Sequence, residues 1–389
     1  MQGIEIAFCN VGIGAVIGAW QSIMESTAYE ALEPVPYGKN DTIGLDARPE
    51  IIITSRLKQF DRHSLVITEE LYSEDKKRWP SFPDKILQPI MFFSDPTDRS
   101  KFLKKFIELI SKDDKFAKIG DLQKKYNFEE MWEKEFKEAP VSITGPTSSI
   151  TCVRKGSIIF SVILNYITET IFVACSLGVY YLKLPDHKNK KLKTIDLSYI
   201  IDHGKELTFL CTEKVCATDD EAKKFVTFLG KEGYRENFKD SMIFVDEPEK
   251  YLHHSEPGGP ARILYLSELQ KSHGPIGFVL ANGEKIGEWI SWLPFVKFAK
   301  NTLGAQALKV FEVYIERPWF KDGVLMTTSP SYSIFNKSDD NEPFLDISRL
   351  KNYDSPNKFR SMLAVVPKDN ERLNYIMTQH QYRNVTKYF

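Results

Sequence analysis

The sequence predicts a layered α+β fold, and three observations predict it. The segment from Ile4 to about Ser26 carries small and apolar residues at helical spacing. From Ser149 the chain becomes dense in β-branched and aromatic residues, and its second half alternates strand and helix signals. With 389 residues, 42% hydrophobic and 27% charged, it is long enough to bury a substantial core. A formal net charge of -1 gives no global electrostatic case for nucleic acid or an anionic membrane.

Taken in order, the apolar N-terminus (Ile4 to about Ser26) reads as a buried helix, with Gly14, Ala15, Gly18 and Ala19 leaving room for a second helix. Glu5 and Asn10 interrupt it, and no basic segment precedes it, so it is not read as a leader or a membrane span. "PEIIITSRLKQF" (Pro49 to Phe60) reads as an amphipathic helix opened by its proline. "HSLVITEE" and "ILQPIMFFSDPTDRS" read as strands, the second breaking at Asp95-Pro96. Residues 101–140 read as a helical insertion, a surface excrescence or lid. Ser149 to Tyr181 reads as an antiparallel meander.

The basic stretch Pro185 to Thr194 is the expected boundary between an N-terminal half, 1–184, and a C-terminal α/β half, 185–389. In the latter, strands are expected at "ELTFLCT", "SMIFVD", "PIGFVLA", "ALKVFEVYI" and "GVLMTTS". Helices are expected at "TDDEAKKFVTFLGKEG" (capped by Thr218), "GPARILYLSELQKS" and "WLPFVKFAKNTLG". Five cysteines without a CxxC pair argue against a zinc site or a disulfide framework and for a reducing compartment, with cytoplasmic location the default.

Chemistry gathers in three acidic clusters: Asp46, Glu69-Glu70, and Asp95 with Asp98. A carboxylate, a chain-bending proline, a second carboxylate and a hydroxyl at the end of an apolar strand suit a hard divalent cation. A helix starting at Ser100 would turn its free amides to the same point and could hold a phosphate. Taken alone, the string also describes a solvated turn. His253-His254 is read as a bland surface loop, with Arg262 beyond it a possible ligand contact, and the Gly12 to Gly18 run as helix packing.

The order and spacing of these strings resemble the inositol monophosphatase superfamily. Its signature is a strand ending D-P-[IL]-D-G-[TS], preceded by a G-E-E strand end and, earlier, a threonine-acid-x-Asp segment. Thr68 replaces the glycine of G-E-E. The resemblance implies an α-β-α-β-α sandwich with the helical insertion added. It implies Mg2+ held by Glu69, Asp95, the Thr97 carbonyl and Asp98, with Asp46 and Ser100 orienting the attacking water. It also implies a small phosphorylated substrate and a homodimer.

Two departures stand out. Arg99 occupies the family's glycine position, where its guanidinium could reach the phosphate together with Ser100. The family's Trp-Asp, which opens a helix and supplies the last metal ligand, is matched by Trp292-Leu293, and leucine cannot bind a cation. Glu288, from the preceding loop, could substitute for it. One cation site is therefore expected and a second is doubtful. The expected function is a Mg2+-dependent phosphatase acting on an inositol, sugar or nucleotide phosphate. The alternative is a catalytically degenerate relative serving as a ligand-binding or protein-interaction module.

Overall fold

The computed structural model describes residues 3–36, 42–68, 90–137, 141, 145–185, 195–208, 218–223, 241–245, 251–254, 276–283, 286–299, 308–313, 318–321, 324–327, 361–379 and 383–384. Helix α1 (Gly3–Glu25) is long and apolar enough to cross a membrane, yet about half of its most apolar window is buried inside the fold. It packs on α3 (Gly44–Phe60) and on strands β3 (Thr147–Arg154) and β4 (Ser157–Asn165). Its small residues serve as expected. A Cβ on Gly12 would sit 2.8 Å from the Phe160 ring, and Arg56 of α3 lies across Gly14 and Gly18, bonding the Gly14 carbonyl. A short helix, α2 (Ala28–Leu32), follows α1 behind a Thr27–Glu30 capping box.

The first sheet has the described strand order β1 (Leu65–Thr68), β2 (Ile90–Asp98), β3, β4, β5 (Thr170–Cys175), β6 (Gly178–Lys183), β7 (Lys205–Glu206). Only β1 and β2 run parallel; the rest form the antiparallel meander. Phe160, Val162 and Leu164 join the core built on α1. The alternate residues of β4 therefore face the other way, where Ser161 pairs with Thr151 at 3.0 Å. The sheet is buried on both faces, so β4 reads as a nearly unbroken apolar run, and β3 is buried along almost its whole length although it carries several serines and threonines.

Beyond this sheet lies α8 (Ile286–Phe298), which packs against β2 to β6 and against β10 (Ile276–Gly283) of the second sheet. That sheet has the order β15 (Arg383–Asn384), β11 (Leu308–Val313), β14 (Ser361–Pro367), β10, β8 (Ser241–Val245), β9 (Tyr251–His254). A separate hairpin joins β12 (Pro318–Lys321) to β13 (Val324–Thr327). The described layers are thus helices, sheet, helix and sheet, an α+β architecture. Helix α7 (Leu197–His203) and β7 lie beyond residue 185 but belong to the first sheet's side. The expected helix "GPARILYLSELQKS", with Arg262, lies outside the described residues, as do Cys211 and Cys216.

Several expectations are corrected. Helix α3 begins at Gly44, so Pro49 is inside it. Of the strand expected at "ELTFLCT", Glu206 ends β7, Leu207 and Thr208 are not in a strand, and the remainder lies outside the described residues. His253 and His254 belong to strand β9, not to a loop. Strands β12 and β14 and helix α9 (Glu371–Gln379) had no sequence signal strong enough to be singled out.

The insertion is the largest correction. Helices α4 (Ser100–Ile110), α5 (Ile119–Lys125) and α6 (Phe128–Glu135) are no excrescence. Leu103, Phe106, Ile107, Ile119, Phe128 and Trp132 are buried in the same core as α1. The intervening chain is stitched to the body by Ala28 N–H to the Ala117 carbonyl at 3.2 Å and Ile119 N–H to the Ser26 carbonyl at 3.0 Å. The spacing of three and four was read correctly as amphipathic; what its apolar face covers was not legible.

Burial has a measurable consequence at Lys297 on α8, whose ammonium donates to the Ile158 carbonyl at 3.3 Å and lies over the Phe298 ring. Desolvation lowers its pKa to about 8. Free lysine titrates near 10.4, so between about pH 8 and 10.4 the unfolded chain binds more protons than the native one. Native stability therefore rises with pH across that window, and the burial penalty is fully present below it. Lys297→Met is expected to stabilise the protein by about 2 kcal/mol at pH 7, an advantage that fades towards pH 10. Denaturant titrations at the two pH values check this.

Candidate active site

The site is assembled where the end of β2 meets the start of α3. Helix α3 contains Pro49, which has no N–H to give to the Leu45 carbonyl four residues earlier. That carbonyl is instead taken by the Thr97 hydroxyl at 2.8 Å. A proline inside a helix thus creates the docking point for the D-P-T-D turn. Asp46, next to Leu45, lies in the first turn of α3 and is 9% exposed. Its carboxylate accepts the Ile43 N–H at 3.3 Å, so it also caps its own helix.

The turn is bulged. Asp95 pairs with Ser149 and Asp98 with Thr147, so two residues of β2 face one of β3 between them. Asp95 is 2% exposed, Thr97 6% and Asp98 9%, which removes the solvated-turn reading. Inside the bulge the Pro96 carbonyl accepts from the Ser148 hydroxyl at 2.6 Å and from the Tyr166 phenol at 3.1 Å. Tyr166 is fully buried; desolvation pushes its phenol well above the ordinary range, and the charges of Asp95 and Asp46 add to the rise. Both carboxylates therefore act on one phenol, which ties the two motifs together in space.

Helix α4 starts at Ser100, which meets the condition for turning free amides towards the turn. Arg99 caps it in the left-handed region, φ 67° and ψ 27°, which is open to glycine and costs arginine about 1 kcal/mol. Ser100 sits at the first helical position beside the free amides.

Glu50 went unnoticed in the sequence. It lies one helical turn after Asp46, is fully buried, and accepts a hydrogen bond from the Thr68 hydroxyl at the end of β1. Its signal was available as an acidic residue at i+4 from Asp46. Ser148 and Tyr166 had no such signal, because only the sheet register brings them to Pro96.

Glu69 lies outside the described residues. Among the described residues no three Asp, Glu, His or Cys side chains gather closely enough to enclose an ion. Asp95 and Asp98, with backbone carbonyls of the turn, form an all-oxygen donor set of the kind hard divalent cations take. They fit such an ion in chemistry.

On the far side, Trp292 and Leu293 lie in the middle of α8, both fully buried, not at a helix opening. Leu293 is a core residue. Glu288, expected in a loop, falls in the first turn of that helix.

No family model matches the chain, and no curated protein does. Among solved structures it is similar to CysQ from Bacteroides thetaiotaomicron, described as a bacterial member of the inositol monophosphatase family. The two share 13% identity over 93% of this chain and 98% of that one, with a TM-score of 0.44. It is also similar to the extragenic suppressor protein SuhB from Bartonella henselae, at 12% identity over 95% and 97% of the two chains and a TM-score of 0.45. A third is an inositol monophosphatase from Zymomonas mobilis, at 10% identity over 98% and 100%, with a TM-score of 0.40.

Proposed function

We propose that this chain is a divergent inositol-monophosphatase-like protein that hydrolyses a small phosphate monoester with the help of Mg2+. The observation that carries the reading is the Thr97 hydroxyl bonded to the Leu45 carbonyl at 2.8 Å. It locks the turn bearing Asp95 and Asp98 against the helix turn bearing Asp46, so motifs far apart in sequence converge on one buried site. The comparisons are consistent with the reading but are not what it rests on.

In this reading Asp95, Asp98, the Thr97 carbonyl and Glu69 hold the cation, which when bound lowers the pKa of water and neutralises phosphate charge. The free amides at the start of α4 receive phosphate oxygens, with the Arg99 guanidinium as an added donor. Asp46 and Ser100 would orient the attacking water, and the Asp46 carboxylate would accept its proton. The substrate class is a phosphorylated polyol, sugar or nucleotide, and the assembly a homodimer.

The buried Leu293 favours a second reading, in which the cleft has lost catalysis and binds a ligand or a protein partner. Phosphate release from a panel of small phosphomonoesters, with Mg2+ and then with excess chelator, separates the two. Hydrolysis that chelation stops supports the phosphatase. A folded protein that hydrolyses nothing on the panel supports the degenerate relative.

A further inference from the structure

The geometry points to Tyr166 and Ser148 as positioning residues that set the cation affinity of the D-P-T-D turn. The inference rests on the metal-dependent reading of that turn. Both hydroxyls donate to the same oxygen, the Pro96 carbonyl, at 3.1 and 2.6 Å. They come from two different segments: Ser148 from β3, Tyr166 from the turn just after β4. Both side chains are fully buried. A carbonyl oxygen has two lone pairs, and here each has a hydroxyl donor.

The consequence is directional. The Pro96 carbonyl belongs to the central peptide of the bulge between Asp95 and Asp98, where the ladder to β3 is interrupted. Holding the Pro96 carbonyl with two hydroxyls therefore fixes the plane of the Pro96-Thr97 peptide. The Thr97 side chain is anchored separately, on Leu45. With the turn fixed at both points, Asp95 and Asp98 leave the backbone in set directions, so the donor oxygens are arranged before any ion arrives. A bulge without these two hydroxyls could rotate its central peptide, and the ion would then have to order it on binding. Neither hydroxyl is expected to touch the ion.

The test is calorimetric titration of the full chain with MgCl2 alone, for the parent, Tyr166→Phe, Ser148→Ala and the double variant, beside thermal melts in chelator. Tyr166→Phe keeps the ring and most of its volume in the core. Each single change is expected to weaken Mg2+ binding about fivefold, and the pair by more, from the loss of one hydrogen bond at a time. Substrate KM at saturating Mg2+ stays as in the parent. A lower melting temperature with unchanged Mg2+ affinity would make both residues merely structural and overturn the inference. If Tyr166→Phe does not fold, Ser148→Ala reads the same carbonyl and decides alone. A parent that binds no Mg2+ sinks the phosphatase reading and this inference together. A parent that binds and hydrolyses, beside variants that bind equally well, sinks this inference only.

Discussion

Asp95→Asn is expected to fold like the parent and to lose about a thousandfold in Mg2+-dependent phosphate release. The magnitude follows from comparison: losing a partner that merely orients a metal ligand costs ten- to a hundredfold, so removing a ligand's charge costs more. Asp95 is 2% exposed at the strand end, where water cannot replace what the amide no longer supplies. Asn is nearly isosteric, so the bulge opposite Ser149 is kept.

Stability supplies a second readout whose sign differs between the readings. In chelator the variant should be at least as stable as the parent, because a buried charge costs more than a buried amide. With Mg2+ added, the proposed phosphatase should gain stability by mass action, because an ion that binds the native chain and not the unfolded one shifts the equilibrium towards the fold. The variant gains much less. A parent whose melting temperature ignores Mg2+ and whose activity survives Asp95→Asn would leave the carboxylate without its role.

Much of this site was legible because its chemistry is local. Asp95, Thr97, Asp98 and Ser100 lie within one short string, and a strand end followed by a helix start is dictated by apolar patterning and an Asp-Pro break. What was not legible is what the fold brings from elsewhere. Pro49 read as a helix opener, yet its lasting effect is the carbonyl it leaves to Thr97, visible only once β2 lies beside α3. Ser148 and Tyr166 owe their place to register, and a slip of one residue would turn both away. The Trp292-Leu293 pair was read as a helix opening because tryptophan followed by a helical run looks the same at either position. In the fold the helix begins at Ile286, and Leu293 is buried like its apolar neighbours.

Trp132→Ala is expected to cost about 4 kcal/mol of unfolding free energy, in the range for truncating a fully buried aromatic side chain. Trp132 is fully buried, with ring centroids 5.1 Å from Phe106 and 4.6 Å from Phe136. Phe106 in turn meets Phe128 edge-on at 5.1 Å. This cluster fastens α6 to α4, and α4 is the helix whose first turn lies against the D-P-T-D turn. The cavity should therefore loosen the phosphate end of the site as well as the core, raising substrate KM more than it lowers Mg2+ affinity. Urea titration followed by far-UV circular dichroism should show one cooperative transition moved to lower denaturant, because the insertion shares its core with α1. Two separate transitions, or a loss below about 1 kcal/mol, would mean that residues 101–137 form a unit of their own, as a surface excrescence would.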